Sequence, residues 1–184
     1  MTKEYKRALA VLCGVVVIGT LFGSHRSLAW ERKNVEKLAY VQQNGGSIQT
    51  DLSDAADVAA NLATLGEKYF PGQEEVSLLK ASVSALRNAS GLTDGFEALE
   101  DLSARSCVLV EWLRQADLSE KDASAVEGLY TDLVAAIHRM SYDDYNAHAV
   151  QFNQKILGRF PANLLGGVTG IRSLPVFEEL QLPR

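Results

Sequence analysis

Proline is scarce. The 184 residues contain four, at positions 71, 161, 175 and 183. None falls between residues 72 and 160, and a stretch without proline favours long helices over many short strands. Cysteine is scarcer still, with Cys13 in an apolar run and Cys107 in SARSCVLVEWL, so neither a disulfide framework nor a thiolate metal site is expected. Basic residues are outnumbered, 18 Lys and Arg against 23 Asp and Glu, giving a net charge of −5 and no basic footprint for nucleic acid. Catalytic signatures are missing too: no HExxH, CxxC, G-x-S-x-G or phosphate-binding GKS/GKT occurs. His138 and His148 lie ten residues apart and do not share a helix face. Asp143 and Asp144 are adjacent and do not converge on one substrate atom. Gly166-Gly167-Val168-Thr169-Gly170 follows no strand and lacks the lysine of a nucleotide loop. A non-enzymatic chain without cofactor or metal is the expectation.

What is present is an ordinary amount of apolar residue, 47%, which argues against wholesale disorder. The length suits one domain, or one domain with an anchor. The averages hide a partition. Residues 1–37 carry seven Lys/Arg and three Glu, whereas residues 38–184 carry eleven Lys/Arg and twenty Asp/Glu. The basic part brackets the one long apolar run, Ala8 to Phe22, ALAVLCGVVVIGTLF. With Gly23 and Ser24 it would span roughly 25 Å as a helix, at the short limit for a bilayer core.

Two readings compete for this run. Lys3, Lys6 and Arg7, the apolar stretch and Ser27-Leu28-Ala29 resemble a secretory signal cleaved after Ala29. The alternative is an uncleaved anchor over residues 1–24. His25 and Arg26 stand before the cleavage position, and the chain continues as the helical ERKNVEKLAYVQQ, which suits an anchor running into a soluble helix better. Three basic residues precede the run and four follow it closely, so charge hardly sets the orientation. The N-terminal position favours export, which places the C-terminal domain on the extracytoplasmic side. Leu12 before Cys13 argues against a lipidated cysteine.

The remainder, residues 25–184, reads as helices. Val58, Leu62, Leu65 and Tyr69 form an amphipathic face over 51–69, after an Asn44–Ser47 break and before Phe70-Pro71-Gly72. Asp51, Asp54 and Asp57 form an acidic row that complements the helix dipole. Val76, Leu79, Val83 and Leu86 mark a second helix over 73–89, and Phe96, Leu99, Leu102, Val110 and Leu113 a third over 96–116. Ser119 with Asp122 is close to a capping box, from which a helix of nearly forty residues, roughly 58 Å, would run to Leu157. The fold expected is all-α, an antiparallel helical bundle of about four helices following an N-terminal membrane helix, with a closing tail over 158–184.

The C-terminal part is the most specific. Residues 145–178 contain Tyr145-Asn146, Phe152-Asn153, Phe160-Pro161, Asn163-Leu164, Gly167, Gly170, Pro175 and Phe177-Glu178. In kind and spacing these resemble the LemA family. A weaker match covers residues 57–69, DVAANLATLGEKY, carrying Asp57, Asn61, Leu62 and Tyr69. The family's paired arginines before the aspartate are absent, Ala60 replaces its proline, and LVAAIHRMS stands where a T-E-N-R-I run is usual. The chain thus looks like a divergent member. The resemblance implies a membrane-attached helical bundle of undefined molecular function, with one family branch associated with building magnetosome membranes. It implies a scaffold or oligomeric assembly, with coiled-coil-like helices, at a bacterial cytoplasmic membrane. Its partners would be membrane lipid through the N-terminal helix and further copies of itself. The alternative is a module that presents or regulates a partner membrane protein such as a protease or sensor.

Physically, Tyr145, Ala149, Phe152 and Ile156 share one face of the last helix, with Asn146 and Asn153 beside it. Such asparagines can bond neighbouring helices or loop backbone. Phe160-Pro161 would end the helix, and Val176 and Phe177 would plug the returning tail. The motif either closes the bundle or offers a docking or self-assembly face.

Overall fold

The computed structural model describes residues 3–41, 46–159, 162, 163, 167, 170–178, 180 and 182, and for residues 6, 8, 10, 17 and 18 the backbone alone. Among the described residues six α-helices and one π-helical turn make an all-α fold. They are α1 (Lys3–Leu38), α2 (Ile48–Tyr69), α3 (Glu74–Arg87), α4 (Leu92–Gln115), α5 (Glu120–Ser141), α6 (Asp144–Gln151) and the turn Phe152–Leu157. The chain groups into two compact units. One comprises Met1–Leu38 with Ala147–Val176, the other Ala39–Asn146 with Phe177–Arg184.

The second unit is the helical bundle. Short connections join α2 to α5 in succession, the pattern of antiparallel neighbours. α2 packs against α3, α4 and α5, while α3 and α5 each also touch α4. A helix with three neighbours needs a broad buried face, and α2 has one. Besides Asp51, its buried positions are Ile48, Leu52, Ala55, Ala56, Ala59, Leu62, Ala63 and Gly66. The face expected from Val58, Leu62, Leu65 and Tyr69 is therefore corrected: only Leu62 is buried, and the other three are half-buried. Small residues win the interior because they let backbones approach. A Cβ built on Gly66 would stand 2.8 Å from Leu109 Cδ2 and 3.1 Å from Val76 Cγ2.

The helix ends follow local chemistry. Ser47 caps α2 by accepting the Thr50 N–H (3.2 Å), and Phe70-Pro71-Gly72, with Gly72 at φ +74, ends it. Val76, Leu79, Val83 and Leu86 are all buried on α3, as their spacing predicts. α4 starts at Leu92, earlier than expected, because Gly91 takes φ +95 and releases the chain directly into the helix. Ser119 caps α5 by accepting the Asp122 N–H (3.2 Å), but its own N–H goes to the Tyr69 hydroxyl (3.4 Å) and not to Asp122, so only half of the expected box forms.

The expected helix from Ser119 to Leu157 does not form in one piece. It breaks at Tyr142-Asp143, where no proline or glycine stands. Asp143 Oδ1 accepts the Tyr145 N–H (2.8 Å), starting α6, and Asn146 Nδ2 donates to the Met140 carbonyl (2.7 Å), closing α5. Asp and Asn side chains substitute for ladder bonds in this way.

In the first unit α1 runs unbroken through residue 24 to Leu38. Its apolar half is exposed: Val11, Leu12, Val15, Val16 and Phe22 keep 59–74% of their surface. Among the described residues, Val11–Leu38 is the segment long and apolar enough to cross a membrane, with mean hydropathy 1.5 over its best window. From Leu21 onward α1 acquires a covered face, with Leu28 and Val35 buried, and the helix packs there on the π-helical turn.

Candidate functional site: two asparagines and the returning tail

In each unit the motif residues near the C-terminus bond backbone rather than line a cavity. In the bundle unit Tyr145 is fully buried and Asn146 nearly so. While Asn146 Nδ2 holds the end of α5, its Oδ1 accepts the Phe177 N–H (2.9 Å). Phe177 is buried with its ring 5.3 Å from that of Phe96, tilted by 56°. Phe177 is thus the apolar plug that the pattern suggests, and Asn146 sets its height.

In the other unit Phe152 is fully buried at the start of the π-helical turn. Asn153 makes a reciprocal pair with one residue of the tail. Its Nδ2 donates to the Leu174 carbonyl (2.8 Å), and its Oδ1 accepts the Leu174 N–H (2.8 Å). A primary amide offers a donor and an acceptor side by side, the pattern an extended peptide presents, so asparagine satisfies both Leu174 groups at once. Leu174 is buried and Pro175 half-buried. Asn163 N–H bonds to the Arg159 carbonyl (2.9 Å). Phe160, Pro161 and Leu164 lie outside the described residues.

The weaker motif on α2 does not join this group. Asp57 is exposed and pairs with Arg87 (2.6 Å). Asn61 is exposed in an open groove with Asp54, Val58, Leu129, Asp132 and Arg139. Tyr69 donates its hydroxyl to Asp122 (2.5 Å), which also receives Lys68 (2.6 Å) and Ser119 (2.8 Å). Lys68 first, then Tyr69 and Ser119, hold the Asp122 carboxyl well below the usual carboxylate range.

Arg139 is the functional-looking residue that sequence patterning passes over. It grips Asp51 (2.6 Å) and Asp54 (3.2 Å). Asp51 is buried, and burial raises its carboxyl although Arg139 opposes the shift. Two of the three acids in the row expected to serve the helix dipole, Asp51 and Asp54, therefore share a specific cation from α5, while Asp57 pairs with Arg87 of α3. The only available signal was one arginine on a helix facing two aspartates 85 and 88 residues away. Burial likewise raises the thiol of Cys107, which is half-buried rather than a core residue.

Among the described residues no group of three or more His, Cys, Asp or Glu could hold a metal ion. Asp51 and Asp54 are engaged by Arg139, and the tail asparagines by backbone. This arrangement fixes a chain segment in place. No model of a known protein family, no curated protein and no solved structure matches the chain.

Proposed function

We propose that this chain is a non-enzymatic, single-pass membrane protein of a bacterial cytoplasmic membrane, a divergent LemA-like helical bundle that acts as a scaffold or oligomeric assembly there. The observation that carries the membrane reading is the outward apolar surface of α1 between Val11 and Phe22. Burying such a surface in lipid is worth about 25 cal/mol per Å², and water offers nothing comparable. The scaffold reading rests on polar side chains that are spent on structure: Asn146 and, in the other unit, Asn153 on the tail, Arg139 on Asp51, Lys68 and Tyr69 on Asp122. The bundle domain lies on the extracytoplasmic side, following from the N-terminal position of the span.

Fractionation tests the first part. The full chain is expected in the membrane pellet and resistant to alkaline extraction, and a chain lacking residues 1–24 in the soluble fraction. Full-length protein in the soluble fraction contradicts the anchor. A large, discrete detergent-solubilised species supports assembly, whereas a clean monomer refutes it.

A further inference from the structure

Beyond its apolar half, α1 carries two unlike faces. Leu28 and Val35 are buried, and Leu21, Ser24, Glu31, Arg32 and Leu38 beside them are half-buried. On the opposite side Arg26, Trp30, Lys33 and Lys37 follow at spacings of four, three and four, and all four are exposed. At 100° per residue they fall within a 60° sector, in line with exposed Val15 and Phe22 of the apolar half. Trp30 keeps 64% of its surface.

The acids of this segment are elsewhere. Glu36 pairs with Arg32 (2.9 Å), whose Nε donates to the Arg172 carbonyl (3.2 Å), so Arg32 is turned inward. Arg26, Lys33 and Lys37 make no ion pair or side-chain hydrogen bond among the described residues. Charge in the rest of this unit points the same way. Residues 25–38 and 147–176 hold seven Lys/Arg and two Glu, although the whole chain is acidic. Cations left unpaired in a chain of net −5 call for an external anion.

The spacing along α1 suits a bilayer surface. A hydrocarbon core of about 30 Å takes roughly 20 residues, which from Ala8 reaches Ser27. Arg26 then extends its head outward to the boundary. Trp30 lies about 5 Å beyond the core edge, at the depth of headgroups, where indole is enriched. Tyr5, also exposed, stands 25 residues earlier, about 38 Å along the axis, which matches the opposite interface. Lys33 and Lys37 lie about 9 and 15 Å out, where the surface potential of an anionic leaflet still acts.

We propose that the stripe Arg26, Trp30, Lys33 and Lys37 binds anionic phospholipid headgroups, Trp30 seating at the interface and the three cations gathering acidic lipid around the anchor. The inference rests on the reading of α1 as a membrane anchor. It adds the class of lipid the anchor selects.

The full chain in phosphatidylcholine vesicles with one phosphatidylglycerol in four provides the test. Acyl-brominated quencher is carried either on the phosphatidylglycerol or on an equal amount of phosphatidylcholine. The Trp30 signal is the difference between the chain and its Trp30→Phe variant. Quenching by brominated phosphatidylglycerol should exceed that by brominated phosphatidylcholine by about twofold or more, on the basis of roughly 1 kcal/mol per cation at an anionic surface. Arg26→Gln/Lys33→Gln/Lys37→Gln, which touches no packed residue, should bring the ratio to one. Equal quenching by both lipids in the unaltered chain overturns the proposal, as does quenching by neither. Retention on the vesicles through an alkaline wash reports the anchor separately, so its failure is distinguishable from failure of the stripe.

Discussion

Asn146 donates to the Met140 carbonyl and accepts from the Phe177 N–H, so one amide serves a helix end and the tail together. Asn146→Ala removes both bonds and leaves the buried Phe177 N–H unpaired, while the Met140 carbonyl keeps the Asp143 N–H (3.3 Å), which should cost about 1–3 kcal/mol. Asn153→Asp should also loosen the tail, because a carboxylate cannot donate to the Leu174 carbonyl. Hydrogen exchange at the Leu174 and Phe177 amides reads both, with faster exchange expected in each variant. Ser106 presents the converse case: its Oγ is buried with no partner among the described residues, so Ser106→Ala should stabilise the chain by about 1 kcal/mol in a denaturant titration. Asp122 supplies a pH test. Its folded carboxyl lies below its ordinary value of 3.8, so its stabilisation is full above that value and is lost as the pH falls beneath it. Asp51 has the opposite sign, since its raised carboxyl opposes folding at neutral pH and is relieved by acid. Asp122→Asn should therefore flatten the acid limb of a melting-temperature profile. An unchanged limb would show that the Lys68–Tyr69–Ser119 cluster does not hold the carboxylate in solution.

At the scale of elements, α2 depends on closeness. Gly66→Val would push a side chain into Leu109 and Val76, overpacking the bundle at a cost of about 1–3 kcal/mol in thermal or denaturant unfolding. The three later bundle helices were legible because their apolar spacing or caps are strong: Val76 to Leu86 on α3, Leu99 to Leu113 on α4, and Ser119 opening α5. The α2 face was not, because its buried seam is largely alanine and a pattern weighted to large side chains follows Val58 and Tyr69 instead. The break at Tyr142-Asp143 was hidden for a different reason. It depends on Asp143 and Asn146 side chains bonding backbone, and no proline or glycine announces it. The asparagines could be singled out from the sequence as backbone-binding candidates, but their partners Leu174 and Phe177 stand 21 and 31 residues on, a distance that periodicity does not reach. Arg139 and its aspartates are similarly remote.

For the whole molecule, composition is the clearest guide once it is divided. The bundle unit, Ala39–Asn146 with Phe177–Arg184, holds eight Lys/Arg and twenty Asp/Glu, while the unit containing α1 holds ten Lys/Arg and three Glu. An acidic body repels an anionic surface and a basic collar attracts it, so binding to acidic membranes should depend on the collar and weaken with salt. The same partition separates an anchored scaffold from a cleaved, secreted domain, since cleavage after Ala29 would remove the apolar run and Arg26 while leaving the bundle intact. Native mass measurement of the chain extracted from membranes decides between them most directly. The account predicts a discrete oligomer whose protomer has the full 20.0 kDa of residues 1–184. A monomer, or a protomer beginning at Trp30, would contradict it.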